Sequence, residues 1–138
     1  MKNKILIIGC GRLGASIANH ENELGGNVIV VDEDERSFDR LDDSYSGYKI
    51  AGDATDQTVL ENAYVKTASE VIITTGDDNI NLFLAHLCSK IYQVPQVYVR
   101  FNDPEKSLLI LGMNVHAIYP FELSLNKFTA MENGGEGK

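Results

Sequence analysis

The sequence predicts an α/β protein built on one parallel sheet, and two observations support this fold class. Short apolar runs alternate with amphipathic segments along the 138 residues, a pattern typical of βα units. The first run, residues 4–8, lacks the polar alternation of a half-exposed strand and therefore indicates a strand buried on both faces. Right-handed crossovers then give a Rossmann-type, doubly wound sheet of six strands in the order 3-2-1-4-5-6, with helices on both faces.

Six strands are expected, each a short run rich in β-branched or aromatic residues that ends near a polar or turn-forming residue. They cover residues 4–8, 28–32, 48–51, 71–75, 97–101 and 117–119. Helical segments are expected at residues 11–24, 56–63, 78–92, 104–112 and 121–131, with a shorter one around Phe38 and Leu41. Because no repeat or linker interrupts this alternation, residues 1–132 are expected to form one domain and residues 133–138 a flexible tail.

Apolar spacing predicts one buried face for each long helix. These faces comprise Leu13, Ile17 and Leu24, with Ala15 and Ala18 beside them, in the first helix, Leu82, Phe83, Leu87 and Ile91 in helix 78–92, and Phe121, Leu125 and Phe128 in the last helix. The last face could contact either the core or another subunit. Asp78 is expected to be the N-cap of helix 78–92, and His86 and Cys88 are expected to be packing residues.

The charge balance limits the partners that the chain is expected to have. Twenty acidic residues against twelve basic ones give a formal net charge of −8, which argues against nucleic acid because phosphate contacts need clustered Lys and Arg. No apolar run approaches the length of a membrane-spanning helix, so direct membrane insertion is not expected. The two cysteines, Cys10 and Cys88, lie on unrelated segments and require no disulfide.

The strongest functional motif is the turn Gly9-Cys10-Gly11-Arg12-Leu13-Gly14, which follows the first strand and opens the first helix. Gly9 permits a tight turn, Gly11 lets the backbone approach a pyrophosphate, and Gly14 allows the helix to pack closely on the strand. The free N–H groups at the helix start, between residues 8 and 13, favour a phosphate there. A turn with a purely structural role is the alternative.

The second strand ends at Asp32, which follows Gly14 by 18 residues and occupies the position of a ribose-binding acid. A 2′-phosphate would meet Asp32, Glu33 and their acidic neighbours, so NADP should bind less well than NAD or adenine nucleotides. Arg36 lies among these acids and could either remain in solvent or turn toward an adenine or phosphate.

The other strand ends supply further candidates, because ligands of open α/β sheets bind at the carboxyl ends of the strands. Residues Gly52, Asp53 and Ala54 follow the third strand and are expected beside an adenine, whereas Thr74, Thr75 and Gly76 should face the crevice. Arg100 ends the fifth strand and is costly to bury unpaired. It should therefore meet either a carboxylate or a ligand phosphate.

Several of these segments together resemble the TrkA-N or KTN domain, the N-terminal nucleotide-binding domain of regulators of potassium conductance (RCK). The resemblance extends from about Lys4 to Glu122. Its most specific parts are the glycine turn with Asp32, Gly52-Asp53-Ala54-Thr55, Thr75-Gly76-Asp77-Asp78 with Asn81, Arg100 with Asn102-Asp103, and Gly112 followed by Tyr119-Pro120. Two features depart from the family: Phe121 intervenes between Pro120 and Glu122, and only a short segment follows Met131, where members usually carry a second domain.

The resemblance implies a cytoplasmic nucleotide sensor at the inner face of the membrane, where it assembles with a potassium channel or transporter. It implies NAD(H) or ATP, ADP or AMP as the ligand, and a homo-oligomer such as a dimer, a tetramer or an octameric ring. The binding site expected from the motifs and the resemblance together comprises Gly9, Cys10, Gly11, Arg12, Leu13, Gly14, Asp32, Glu33, Arg36, Gly52, Asp53, Ala54, Thr74, Thr75, Gly76, Asp78 and Arg100.

A small NAD-dependent oxidoreductase is the alternative function, and the sequence does not favour it. Such an enzyme needs a positioned acid, base or nucleophile beside the nicotinamide. None of the histidines, His20, His86 and His116, falls at a predicted strand end that faces the crevice. Cys10 could be acidified by the helix start, but a redox role there would conflict with a bound phosphate. No catalytic residue is therefore predicted.

Overall fold

The computed structural model describes residues 3–134 and contains one parallel sheet of six strands in the order β3-β2-β1-β4-β5-β6. The predicted fold class and strand order are confirmed. The strands are β1 (Lys4–Ile8), β2 (Asn27–Asp32), β3 (Tyr48–Ala51), β4 (Ala68–Ile73), β5 (Gln96–Arg100) and β6 (Val115–Ile118). Relative to the sequence prediction, β4 and β6 lie slightly earlier in the chain.

Four α-helices and several tighter helical segments connect the strands. The α-helices are α1 (Arg12–Glu23), α2 (Gln57–Asn62), α3 (Asp78–His86) and α4 (Pro120–Glu132). The segments Glu35–Arg40, Val65–Thr67 and Pro104–Ile110 are 3-10 helices, and Leu87–Ile91 continues α3 as a π-helical turn. Asn133 and Gly134 form a turn after α4, and residues 135–138 of the predicted flexible tail lie outside the described residues.

The core lies on both faces of β1, which is why this strand reads as one continuous apolar run. Leu6 and Ile8 belong to one buried cluster with Leu84 of α3, whereas Ile5 and Ile7 belong to a second cluster with Ala15 of α1. All six strands are parallel, so their carboxyl ends lie at one edge of the sheet. The strand order reverses between β1 and β4, and this reversal opens a crevice at that edge.

Helix α1 packs through small residues, and its predicted face is confirmed only in part, because Ala15 and Ala18 are buried and Ile17 packs against their cluster, but Leu24 does not. Its buried residues are Gly14, Ala15 and Ala18, whereas 69% of Leu24 is exposed. The close approach of the helix to the turn explains the difference. A Cβ atom on Gly14 would lie 1.9 Å from the carbonyl oxygen of Gly9, so a large side chain on this face would prevent the packing.

The predicted stripe of α3 is confirmed only in part, because Leu87 is buried and Leu82 packs against the core, but the other two residues do not. Phe83 is 48% exposed and Ile91 is 66% exposed, and His86 is exposed rather than packed, whereas Cys88 is buried as expected. The buried side of the helix and its π-helical extension comprises Asn81, Leu84, Ala85, Leu87 and Cys88. A count of apolar residues alone omits Asn81, which is why the predicted stripe includes Phe83 and Ile91 on the neighbouring face.

Helix α4 contributes no buried residue to the core. Phe121, Leu125 and Phe128 are 66%, 61% and 56% exposed. The possibility that they form part of the intramolecular core is therefore wrong for the chain as described. None of the helices within residues 3–134 has the length and apolarity that crossing a membrane requires.

Candidate functional site

A cavity of about 610 Å³ lies at the carboxyl edge of the sheet, between the ends of β1 and β4. Eleven of the predicted site residues line it: Gly9, Gly11, Asp32, Glu33, Gly52, Asp53, Ala54, Thr74, Thr75, Gly76 and Arg100. Other predicted residues do not line it: Cys10, Arg12, Leu13, Gly14, Arg36 and Asp78. The cavity is also lined by residues that were not predicted: Ile8, Val31, Asp34, Ser37, Thr55, Asp77 and Ile80.

The glycine turn forms one wall of the cavity, and two of its glycines are required sterically. Gly9 has a φ of +100°, and a Cβ atom there would lie 2.9 Å from the carbonyl carbon of Thr74. Gly14 packs against the Gly9 carbonyl as described above. Gly11 differs from both, since no heavy atom lies within 4 Å of the position that its Cβ would occupy. The space beside Gly11 opens into the cavity.

The amides at the start of α1 remain available to a ligand. Gly11 is the N-cap and provides no side-chain hydrogen bond to the first turn. Helical bonding begins with the Ala15 N–H, which donates to the Gly11 carbonyl oxygen at 2.9 Å. The preceding N–H groups of the turn therefore have no intrahelical acceptor. Arg12 and Leu13 can act only through these backbone groups, because their side chains lie outside the cavity.

Asp32 connects the end of β2 to the glycine turn. One of its carboxylate oxygens accepts from the Cys10 N–H at 2.7 Å, and the other accepts from the Asp34 N–H at 2.8 Å. A carboxylate oxygen can accept more than one hydrogen bond. The carboxylate is thus held in a fixed orientation and keeps acceptor capacity toward the cavity, as recognition of a ribose diol requires.

Cys10 is a packing residue, and the helix start does not acidify its thiol. The side chain is buried, and Sγ donates to the Ser37 carbonyl oxygen at 3.3 Å. Burial, with a further contribution from the charge of Asp32, raises the pKa of Cys10 to about 11. The thiol therefore stays protonated near neutral pH. Its backbone N–H, which already donates to Asp32, is the part of Cys10 that supports the site.

Arg36 lies in solvent rather than in the cavity. Its side chain is 89% exposed and its Nε forms an ion pair with Asp34 Oδ1 at 3.2 Å. This contact lowers the pKa of Asp34 and raises that of Arg36. Of the two alternatives given by the sequence, the structure shows the solvated one, because the guanidinium is directed to Asp34.

Hydrogen bonds within the loop after β3 stabilise a turn there. Asp53 accepts hydrogen bonds from the N–H and the hydroxyl of Thr55, at 2.9 and 2.7 Å. These bonds lower the pKa of Asp53. An Asp side chain that bonds the backbone two residues later stabilises a turn. The turn places Gly52 and Ala54 on the cavity wall.

The end of β4 is joined to the glycine turn by backbone and side chain. The Thr74 N–H donates to the Ile8 carbonyl oxygen at 2.8 Å, and the buried Thr74 hydroxyl lies 3.0 Å from the Gly9 carbonyl oxygen, to which it donates. Two adjacent strand ends are thereby fixed relative to each other. Thr75 and Gly76 continue the chain along the cavity.

The first turn of α3 differs from the prediction in its cap. Asp77, not Asp78, is the N-cap, and its carboxylate accepts from the N–H groups of Asn79 and Ile80. Asp78 instead accepts from the N–H groups of Asn102 and Asp103, at 2.8 and 2.9 Å. Asp78 therefore connects α3 to the segment after β5 and does not line the cavity.

Arg100 is the single basic residue among the described residues that line the cavity, where it faces five acidic ones: Asp32, Glu33, Asp34, Asp53 and Asp77. Its Nη2 donates to Asn102 Oδ1 at 3.2 Å. Its Nε is buried and has no hydrogen-bond partner within residues 3–134. The ion pairs of this part of the chain do not include Arg100. The guanidinium thus keeps an unsatisfied donor beside the cavity.

Sequence reasoning missed the structural role of Asn81, which is completely buried beneath the ends of β4 and β5. The signal was present in the helical spacing, because Asn81 is in phase with Leu84, Ala85 and Cys88. A buried polar residue at a strand end is informative, since such a group must be hydrogen-bonded. Within the described residues, no group of three or more His, Cys, Asp or Glu side chains could hold a metal ion.

Comparison with known proteins assigns the family. Residues 5–120 match the TrkA-N domain. The chain belongs to the TrkA-N family. Among its relatives, the Trk system potassium uptake protein TrkA of Streptomyces coelicolor is 33% identical over 103 residues, which cover 75% of this chain and 46% of the relative. This TrkA-N chain therefore spans about half the length of the relatives it matches.

Solved structures with the same fold include RCK proteins in complex with nucleotides. The GsuK channel bound to NAD has a TM-score of 0.81 and 25% identity, over 94% of this chain and 23% of the channel chain. GsuK bound to ADP has a TM-score of 0.80 and 26% identity, over 94% of this chain and 33% of that chain. The TrkA-N sheet described here is thus similar to part of the longer GsuK chain.

Proposed function

We propose that this TrkA-N domain is a nucleotide-sensing regulatory component of a potassium channel or transporter, with NAD(H) or an adenine nucleotide as its ligand. The cavity at the crevice between β1 and β4 carries the proposal, because it combines free helix-start amides, a fixed aspartate and a guanidinium that forms no ion pair within residues 3–134. The similarity to GsuK, solved with NAD and with ADP, supports the same ligand class.

In the proposed complex, phosphate oxygens accept from the amides that follow Gly11, where the dipole of α1 also favours negative charge. The ribose hydroxyls donate to Asp32, and the adenine lies beside Gly52 and Ala54. Arg100 approaches the phosphate furthest from the adenosine. The phosphate oxygens thereby meet hydrogen-bond donors, and the ribose hydroxyls meet an acceptor.

The charges around the cavity favour ligands with few negative charges. Five carboxylates and one guanidinium line it, so an additional 2′-phosphate beside Asp32 would be repelled. NAD and the adenine nucleotides should therefore bind more tightly than NADP. The acidic lining also predicts that ATP gains less from its third phosphate than it would in a basic site.

The partner proposed for the domain is a potassium channel or transporter subunit at the inner face of the membrane. A ligand biases a conformational equilibrium only by its difference in affinity between the two states, and a complete population switch takes about 5.5 kcal/mol. Several copies of the domain, in a dimer, tetramer or octameric ring, would add their contributions. The exposed apolar face of α4, formed by Phe121, Leu125 and Phe128, is the proposed subunit contact.

An enzymatic role is not proposed, because the cavity offers no suitable acid, base or nucleophile beside a nicotinamide. His20, His86 and His116 do not line it, and burial keeps the Cys10 thiol protonated. The carboxylates of Asp32, Asp53 and Asp77 accept hydrogen bonds from neighbouring backbone N–H groups. These contacts assign the three groups to structure and recognition.

Calorimetric titration with NAD, NADH, NADP, ATP, ADP and AMP tests the proposal. Binding of NAD or an adenine nucleotide, weaker binding of NADP and no oxidation of NADH in the presence of candidate carbonyl substrates are expected. Absence of binding by every nucleotide would contradict the sensor function. NADH turnover would instead favour the oxidoreductase, and a preference for NADP would contradict the role given to Asp32.

A further inference from the structure

The fully buried amide of Asn81 connects the ends of the two strands on the far side of the cavity. Its Nδ2 donates to the carbonyl oxygens of Thr75 and Arg100, both at 2.9 Å, and its Oδ1 accepts from the Thr75 hydroxyl. Thr75 and Arg100 line the cavity, whereas Asn81 does not. Asn81 can therefore influence a ligand only through the residues that it holds.

The chemistry of this position requires an amide. Two carbonyl oxygens need donors and one hydroxyl needs an acceptor, and a carboxamide supplies both from one side chain. The partners also fix the orientation of the amide, since the reverse orientation would set its oxygen against two carbonyl oxygens. An Asp at residue 81 would likewise face these carbonyls with a carboxylate, and a Leu would remove the side-chain donor from both carbonyl oxygens.

Arg100 is held at its side chain as well as at its backbone. Asn81 fixes its carbonyl oxygen, while Asn102 Oδ1 accepts from its Nη2 at 3.2 Å. Asn102 is itself fixed, because its N–H donates to Asp78 Oδ1 at 2.8 Å. We call Asp78, Asn81 and Asn102 the α3 brace. Two of its members lie in the first turns of α3, so the helix sets where the guanidinium lies.

The buried Nε of Arg100 has no hydrogen-bond partner, so this orientation of the side chain is maintained at a cost. A long side chain with an unsatisfied donor would otherwise turn toward water. The brace supplies the restraint that opposes this movement. Such restraint on a charged donor before the ligand arrives increases affinity, because less ordering is needed on binding.

We propose that Asn81 is a positioning residue, which holds Arg100 where its guanidinium meets the β-phosphate of a nucleoside diphosphate. The inference rests on the proposed nucleotide-binding function and adds a determinant of specificity to it. AMP, whose one phosphate lies at the start of α1, does not extend to Arg100. The α3 brace therefore determines how strongly the domain prefers ADP to AMP.

Calorimetric titration with AMP and ADP measures this preference as the ratio of their dissociation constants. Replacement of Arg100 by Gln removes a charge-assisted hydrogen bond and should reduce the preference for ADP about tenfold, with AMP affinity nearly unchanged. Asn81→Asp should reduce the same ratio by about three- to tenfold. In the Arg100→Gln background, Asn81→Asp should cause no further change in the ratio, because the two residues act as one unit.

Asn22→Asp is the matched control. Asn22 also donates from Nδ2 to a backbone carbonyl, that of Ser44, and accepts from the Ser46 N–H, but it lies on α1 away from the cavity. Its replacement should leave the ratio unchanged. Asn102→Ala provides a second test if Asn81→Asp does not fold, since it frees Arg100 Nη2 without burying a new charge, and it should also reduce the ratio.

Equal weakening of AMP and ADP by Asn81→Asp would identify a purely structural role and overturn the inference. An unchanged ratio in both Asn81→Asp and Asn102→Ala would overturn it too, while wild-type binding of both nucleotides would leave the proposed function intact. A wild-type chain that binds neither nucleotide would instead overturn the proposed function, and the role of Asn81 with it.

Discussion

Gly11 and Gly14 lie three residues apart in one turn, yet the space around them differs completely. A Cβ atom on Gly14 would lie 1.9 Å from the Gly9 carbonyl oxygen, whereas a Cβ on Gly11 would meet nothing within 4 Å. Gly11 also has a φ of −79°, which other residues adopt readily. Structure therefore requires glycine at one position, and the proposed ligand requires it at the other.

Gly11→Ala and Gly14→Ala should consequently separate binding from stability. Gly11→Ala should change the unfolding free energy by less than about 1 kcal/mol but weaken nucleotide binding about tenfold or more, because its methyl group enters the space of the phosphate. Gly14→Ala should destabilise the fold by about 3 kcal/mol or more. Denaturant unfolding and calorimetry measure both effects. A Gly11→Ala chain with unaltered affinity would mean that no phosphate approaches this backbone.

Asp32 is the residue on which sugar recognition depends in the proposed complex. Asp32→Ala should weaken ADP and NAD binding by about 10- to 100-fold, the usual effect of losing hydrogen bonds to a charged group. The substitution also leaves the N–H groups of Cys10 and Asp34 without acceptors, so a moderate loss of stability is expected. Asp43→Ala, at an exposed position of the same acidic region, is the control and should not affect binding. Equal affinities of the two variants would remove Asp32 from the site.

The Cys10 thiol predicts a dependence of stability on alkaline pH. Burial raises its pKa from the ordinary value of 9.0 to about 11, so the folded state holds the proton more tightly than the unfolded state does. The stabilisation of the folded state that results from this difference in pKa is complete below about pH 9 and is lost as the pH rises toward 11. Denaturant midpoints measured from pH 7 to pH 10.5 should fall more steeply for the wild type than for Cys10→Ala. Parallel curves would indicate that the thiol is solvated.

At the scale of single elements, α3 marks the limit of what the sequence could predict. Its existence follows from helical spacing, but its rotation depends on Asn81, a polar residue that a count of apolar residues omits although it is in phase with Leu84 and Ala85. The buried hydrogen bonds of Asn81 to Thr75 and Arg100 become visible only when the ends of β4 and β5 lie beside it. The N-cap differs from the prediction for a related reason. The Asp78 carboxylate accepts a hydrogen bond from the Asn102 N–H, which is distant in sequence, and the Asp77 carboxylate caps the helix instead.

Helix α4 allows a prediction about assembly, because its apolar face is exposed and no residue of the helix is buried. Leu125→Glu should therefore leave the unfolding midpoint almost unchanged and reduce self-association. Leu24→Glu, at the equally exposed but isolated end of α1, is the control and should alter neither the unfolding midpoint nor self-association. Sedimentation velocity over a range of concentrations measures the association. A wild-type chain that is monomeric at every concentration would exclude this face as a contact between copies.

At the scale of the whole molecule, the sheet and one half of the cavity were predictable from local signals. The glycine turn, Asp32 and the alternation of strands and helices fix the strand order and bring the carboxyl ends to one edge. The cavity residues that were missed, such as Ser37 and Ile80, come from connecting segments whose paths depend on tertiary packing. The roles of Cys10 and Arg36 were uncertain for the same reason, since a side chain near a motif can point away from it.

The central claim is that the amides at the start of α1 bind the phosphates of a nucleotide whose ribose is bound by Asp32. Crystals of the protein soaked with ADP test this claim most directly. The account predicts density for the pyrophosphate within hydrogen-bonding distance of the amides that follow Gly11 and for the ribose hydroxyls at the Asp32 carboxylate. An empty cavity at saturating ADP, or a nucleotide bound elsewhere on the molecule, would contradict it.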